Sequence, residues 1–211
     1  MGLYRFDPAT GERSLVMDAA EGSSFEAYAV SPDGAAIFCS RRDSTEKAHR
    51  LVKRSLADGV ETEVYRGPLE EPFWIALSPD GQTLAFVNRH PKDAGAERIV
   101  RTLPVTGGTP REIGRFTVPT NGPIPLEFSA DGKHLFLPMK TTPLEDPGVN
   151  LFRLPVEGGE PQDLGLRMMG FRRFSAHPDG EHIAFGSRGA EEKSTEIWVI
   201  ENILPVAKPQ G

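Results

Sequence analysis

A four-residue motif recurs along this chain at a near-constant interval and limits the folds open to it. Ser31-Pro32-Asp33-Gly34, Ser78-Pro79-Asp80-Gly81, Ser129-Ala130-Asp131-Gly132 and His177-Pro178-Asp179-Gly180 lie 47, 51 and 48 residues apart, measured from Asp to Asp. Such a period marks a repeat protein, in which each unit buries its apolar face only against its neighbours. The flanks repeat in columns. Five and three residues before the Asp stand Tyr28 and Val30, Ile75 and Leu77, Leu126 and Phe128, Phe174 and Ala176. Four and six residues after it stand Ile37 and Cys39, Leu84 and Phe86, Leu135 and Leu137, Ile183 and Phe185. Period-two alternation on both sides predicts one strand entering the motif and one leaving it. Pro presets φ, Asp bonds nearby backbone N–H groups and Gly takes a left-handed position, so the motif is a hairpin turn.

A third strand follows in each repeat: Leu51-Val52-Lys53, Ile99-Val100-Arg101, Leu151-Phe152-Arg153 and Ile197-Trp198-Val199. Asp58-Gly59, Gly107-Gly108 and Gly158-Gly159 then lead into a fourth, as at Glu61 to Tyr65, Arg111 to Phe116 and Pro161 to Leu164. Four antiparallel strands in about 48 residues make the blade of a β-propeller. Composition agrees, since 22 Gly and 19 Pro in 211 residues suit short strands joined by tight turns and oppose long helices. The predicted class is all-β, a propeller of four-stranded antiparallel blades.

The SPDG turn with its apolar exit strand, the Ser40 to Asp43 segment, the third strand and the Gly-Gly turn together resemble the TolB-like, WD-repeat-like propeller repeat of bacteria. His177 to Phe185 with Glu196 to Val199 is similar to the last blade of such propellers. The sequence holds no Trp-Asp dipeptide, and its adjacent Asp and Gly do not fit the spaced Asp-box of sialidases.

The blades do not close evenly. Leu3-Tyr4-Arg5 aligns with Leu51-Val52-Lys53, so the chain opens on a third and fourth strand, and Glu196 to Asn202 is a third strand with no clear fourth after it. The expected organisation is a half-blade over 1–20, blades over about 24–67, 71–117, 122–166 and 170–204, and a tail over 205–211. The resemblance implies six or more blades, so the chain is expected to be the C-terminal part of a longer propeller. A compact four-bladed ring is the alternative.

Charge and cysteine mainly exclude. With 24 Lys and Arg interspersed among 30 Asp and Glu, net −6, no basic footprint for nucleic acid stands out. Cys39 is alone, which rules out a disulfide or thiolate metal site within one chain. Apolar runs such as Ala35 to Cys39 and Phe73 to Leu77 are five residues long, far short of the roughly 20 that cross a membrane as a helix. The start, MGLYRFDPATGER, has neither a basic n-region nor an apolar h-region. The expected compartment, by default, is the cytoplasm.

Nine residues after each turn Asp stands a cation, Arg42, Arg89, Lys140 or Arg188. This column falls at the end of the second strand, on the face opposite the turns, and is a candidate rim for an acidic partner or an anion. Local pairing with acids that follow, such as Asp43 or Glu97, is the competing expectation. Phe73, Trp74 and Phe171 precede first strands on that same face and are candidates for a partner hot spot, with packing between blades as the alternative. A second cation column, Arg5, Lys53, Arg101 and Arg153, is expected to decorate an outer strand.

Catalytic signatures are missing. There is no Gly-X-Ser-X-Gly elbow and no Gly-Lys-Ser/Thr phosphate loop. Glu70-Glu71, Glu145-Asp146 and Glu191-Glu192 lie in loops, and Cys39 lies in an apolar column. The histidines His49, His90, His134, His177 and His182 include no His-X-His pair of the kind that converges on a strand, and His177 is expected to do the local bonding of the Ser it replaces. No catalytic residue, cofactor or metal is assigned. The expected function is a non-catalytic protein-interaction or sensory platform with a protein or peptide partner. An accessory propeller of a prolyl-oligopeptidase-type hydrolase and an enzyme with a site in its own channel are the alternatives.

Overall fold

The computed structural model describes residues 2–18, 23–68, 74–89, 97–117, 125–140, 148–169, 174–188 and 195–201. These form seventeen strands and no helix. β1 (Gly2–Phe6) pairs with β2 (Arg13–Asp18) in a two-stranded sheet. β3 (Ser23–Val30), β4 (Ala36–Asp43), β5 (Ala48–Ser55) and β6 (Glu61–Pro68) form the first four-stranded sheet, each strand beside its sequence neighbour. The second holds β7 (Trp74–Leu77), β8 (Thr83–Arg89), β9 (Glu97–Pro104) and β10 (Arg111–Thr117), and the third β11 (Glu127–Phe128), β12 (His134–Met139), β13 (Gly148–Pro155) and β14 (Gln162–Met169). A terminal sheet joins β15 (Phe174–Ala176), β16 (His182–Arg188) and β17 (Thr195–Glu201). Every pairing is antiparallel. This is the four-stranded meander that the repeat predicts.

The motif fixes the register. The residue before each SPDG-type segment pairs with the same column beyond it: Val30 with Ile37, Leu77 with Leu84, Phe128 with Leu135 and Ala176 with Ile183. Gly34, Gly81, Gly132 and Gly180 turn the chain at φ of 68°, 71°, 70° and 76°, a left-handed conformation that suits glycine. Third and fourth strands are bulged against each other at Leu51/Val52, Glu112/Gly114 and Asn150/Phe152. β1 and β2 carry the same kind of irregularity at Leu3/Tyr4. Bulges sharpen right-handed twist, as the outer edge of a blade requires.

Sheets pack face to face and bury both surfaces. On β8, Leu84 and Phe86 face the first four-stranded sheet, with Phe38, Leu51 and Val64, while Ala85 and Val87 face the third, with Leu135 and Leu137. Phe136 and Leu151 meet Ile183 and Phe185 of the terminal sheet, and Met17 meets Phe25, Cys39 and Val52. The two columns that enter the first turn depart from this. Ile75 and Leu126 are buried, yet their equivalent Tyr28 is 62% exposed, and Phe128 is buried, yet its equivalent Val30 is 53% exposed. The sheet preceding β3 has strands only of the third and fourth kind, and these cover Phe25, Cys39 and Val52 instead.

Candidate functional site

The turns occupy one end of the sheets. In three of them Ser Oγ–H donates to Asp Oδ1, at 2.5 Å for Ser31 and Asp33, 2.5 Å for Ser78 and Asp80 and 2.6 Å for Ser129 and Asp131. The same Oδ1 accepts an N–H from Ala35, Gln82 or Lys133, and the Ser Oγ accepts one from Ala36, Thr83 or His134. Hydrogen bonds to the ionised form hold the Asp33 and Asp80 carboxyls below the usual range, the serine hydroxyl being the largest cause. Neighbouring turns touch: a Cβ on Gly81 would stand 3.1 Å from Pro32 Cδ. This end is internally bonded and regular.

The fourth turn differs. His177 keeps the backbone pattern, with Gly180 N–H donating to its carbonyl at 3.0 Å. Its ring does not reproduce the serine. Asp179 Oδ1 takes both backbone N–H groups, from Glu181 at 2.8 Å and His182 at 3.2 Å. Asp179 Oδ2 is met instead by His177 Nδ1 at 2.8 Å and His182 Nδ1 at 2.6 Å. The backbone bond from Glu181 and the His182 contacts hold the Asp179 carboxyl down to about 2. His spacing along a strand hid this cluster, because the ligand atoms converge across a turn at i, i+2 and i+5. The signal available in the sequence was the joint replacement at 177 and 182.

The opposite end carries the predicted cation column. Arg42 is the penultimate residue of β4, Arg89 and Arg188 end β8 and β16, and Lys140 follows β12. Arg42 is exposed and, among the described residues, enters no ion pair. The local pairing expected for it does not form. Asp43 is engaged by Arg50 at 3.2 Å, and Arg50 also meets Glu46 and, at 3.6 Å, Glu63. Arg66 closes this network on Glu46 at 2.8 Å and Glu63 at 2.9 Å. Lys140 is half-buried, as is Trp74, which packs against the apolar cluster between the second and third four-stranded sheets. Phe73 and Phe171 lie outside the described residues. The second cation column is on third strands: Lys53 lies over the Phe38 ring, Arg101 bonds Asn88 Oδ1 at 2.5 Å and Arg153 bonds Gln162 Oε1 at 2.6 Å.

A buried thiol and a half-buried carboxyl lie away from both ends. Cys39 is fully buried beside Met17 Sδ at 3.6 Å, and burial pushes its thiol up to about 11, so it packs as a small hydrophobe. Glu127 on β11 reaches the terminal sheet, accepting the Ala176 N–H at 2.9 Å and the Ser175 hydroxyl at 3.3 Å. Burial pushes its carboxyl up.

No family model matches the sequence and no curated protein matches it. Solved structures do match in fold. TolB from Acinetobacter baumannii superposes with a TM-score of 0.75 at 14% identity, over 95% of this chain and 46% of that one. The fold is that of a TolB-like β-propeller. One of two prolyl endopeptidases matches with a TM-score of 0.64 at 14% identity, over 97% of this chain and 31% of that one. An oligogalacturonate lyase in complex with manganese matches at 0.54 and 14% identity, over 96% and 68%. The chain thus spans less than half the length of the TolB that it matches. At such identities the likeness is one of fold, and this fold occurs in a lyase and in peptidases as well as in TolB.

Proposed function

We propose that this propeller is a non-catalytic platform that binds a protein or peptide through the end of the sheets opposite the SPDG turns, and that the favoured partner surface is acidic. Arg42 carries the reading. It sits at the rim, exposed, and outside the ion-pair network that occupies Arg50 and Arg66. A guanidinium without a local carboxylate is available to a partner's carboxylate as a bidentate donor. Arg89, Lys140 and Arg188 hold equivalent positions in the later sheets, so the contact is multivalent. Trp74, half-buried at the start of β7, supplies apolar area at the same end.

Lysines placed at both ends of the sheets allow a test. Lys47 lies in the loop between β4 and β5 and Lys140 follows β12, whereas Lys133 lies in the third SPDG-type turn. Amine cross-linking of the full chain in its native extract, read by mass spectrometry, is expected to join partner peptides to Lys47 and Lys140 but not to Lys133. Arg42→Glu is expected to deplete those cross-links. Partner cross-links concentrated on Lys133, or unaffected by Arg42→Glu, contradict the proposal.

A further inference from the structure

We propose that His177, Asp179 and His182 form a binding site for a divalent first-row transition-metal ion, of the zinc type, at the last turn. The site lies at the turn end of the terminal sheet, so it is independent of the rim surface proposed above. His177 Nδ1, His182 Nδ1 and a carboxylate oxygen of Asp179 all lie within 4.8 Å of one another. Two imidazoles and a carboxylate form a borderline donor set. It suits zinc, cobalt, nickel, copper or iron and discriminates against calcium and magnesium, which prefer oxygen alone.

What meets the second carboxylate oxygen separates this turn from the other three. Asp179 Oδ1 alone takes the two backbone N–H groups, so the turn is held without Oδ2. Oδ2 faces the two rings. Elsewhere the residue two before the Asp is a serine whose hydroxyl donates to the carboxylate, and no imidazole meets that carboxylate from this position. His134, which stands three residues after Asp131 as His182 does after Asp179, has a buried Nδ1 without a hydrogen-bond partner. One histidine at the later position therefore does not recreate the cluster. The pair is needed.

Local electrostatics favour a cation between these atoms. His177 Nδ1 stands 2.8 Å from Asp179 Oδ2 and 3.2 Å from the Asp179 N–H. A metal ion takes the place of the proton that joins a ring nitrogen to the carboxylate, bonding nitrogen and oxygen alike. Zinc bonds nitrogen and carboxylate oxygen at about 2.0 to 2.2 Å, so ligand atoms in a tetrahedral site stand roughly 3.3 Å apart. The present contacts of 2.6 and 2.8 Å have to open by about half an ångström. Side-chain exposures of 64%, 34% and 36% for His177, Asp179 and His182 leave room for that rotation. The same three residues line a recess of about 550 Å³ with Ser175 and Ala184, so the remaining coordination positions are open to water or to a small anionic ligand.

The chain supplies its own fold-preserving variants. His177→Ser and His182→Thr install the residues that the second turn holds at the same positions, Ser78 and Thr83. Untagged full-length protein stripped of metal is titrated with Zn²⁺ by calorimetry, with Ca²⁺ as the comparison ion. The expected result is one Zn²⁺ per chain, no Ca²⁺ uptake, and affinity weakened more than about 100-fold in either variant, since even an outer-shell partner is worth 10- to 100-fold. Circular dichroism and melting in chelator, expected to match the unaltered protein, show that each variant is folded. Cobalt substitution is expected to give a d–d absorption band that both variants lose. Substoichiometric Zn²⁺ binding, retention of wild-type affinity by folded His177→Ser or His182→Thr, or equal binding of Ca²⁺ overturns the proposal.

Discussion

Removing the Asp80 carboxylate measures what the repeated turn contributes to the fold. Oδ1 accepts the Ser78 hydroxyl at 2.5 Å and the Gln82 N–H at 3.0 Å. A hydrogen bond is worth about 0.5 to 1.5 kcal/mol net, because the unfolded chain bonds to water instead. The Ser78 hydroxyl recovers part of the loss by turning to the Thr83 carbonyl, the arrangement that Ser129 already makes with His134 at 3.2 Å. Asp80→Ala is therefore expected to cost about 1 to 2 kcal/mol, or roughly 2 to 8 °C in Tm for a chain of this size. Urea denaturation should show a lower midpoint at unchanged slope.

The pH dependence of that loss tests its cause. The Asp80 carboxyl titrates below its ordinary value of 3.8, chiefly because the Ser78 hydroxyl bonds its ionised form. Its contribution is thus complete above 3.8 and is lost as pH falls through the lower folded value. The gap between the unaltered protein and Asp80→Ala should narrow as pH falls below 3.8. Ser78→Ala combined with Asp80→Ala should cost less than the sum of the two, since both remove the same bond. An unchanged midpoint at neutral pH, or a gap that stays constant into acid, refutes the reasoning.

Phe86→Ala empties a fully buried position between the first and second four-stranded sheets, and is expected to cost about 3 to 5 kcal/mol by denaturant titration. Glu127→Gln keeps an oxygen acceptor for the Ala176 N–H and removes an ionisation that burial opposes. Because the folded pKa of Glu127 is raised, the stability of its neutral form is complete below 4.5 and declines as pH rises through the folded value. The variant is therefore expected to match the unaltered protein in acid and to gain on it above pH 4.5, and a variant that loses stability on raising the pH contradicts this.

The blade pattern was legible because its determinants are local. Pro and Gly punctuate turns at fixed offsets, and alternating apolar residues on both sides of SPDG leave only an antiparallel register that pairs Val30 with Ile37 or Leu77 with Leu84. What escaped depends on distance in sequence. Tyr28 and Ile75 occupy the same column, yet one is exposed and the other buried, because exposure is set by which strands the preceding sheet holds. Arg42 was expected to pair with the acid beside it. Adjacent residues on a strand point to opposite faces, so Asp43 turns instead to Arg50 across the hairpin.

In a repeat protein the shared residues specify the fold, so function has to be sought where one copy departs from the others. The turns show how. Three of them commit their carboxylate to a serine hydroxyl and a backbone N–H through one oxygen, and this accounts fully for an Asp at that position. The fourth needs no less of its Asp to close the turn, again through Oδ1, yet it brings two imidazoles to the second oxygen. Closing a turn does not demand that pair, since serine followed by Ala36, Thr83 or His134 closes the others. Stability explains the aspartate in all four copies; it does not explain the two histidines in one.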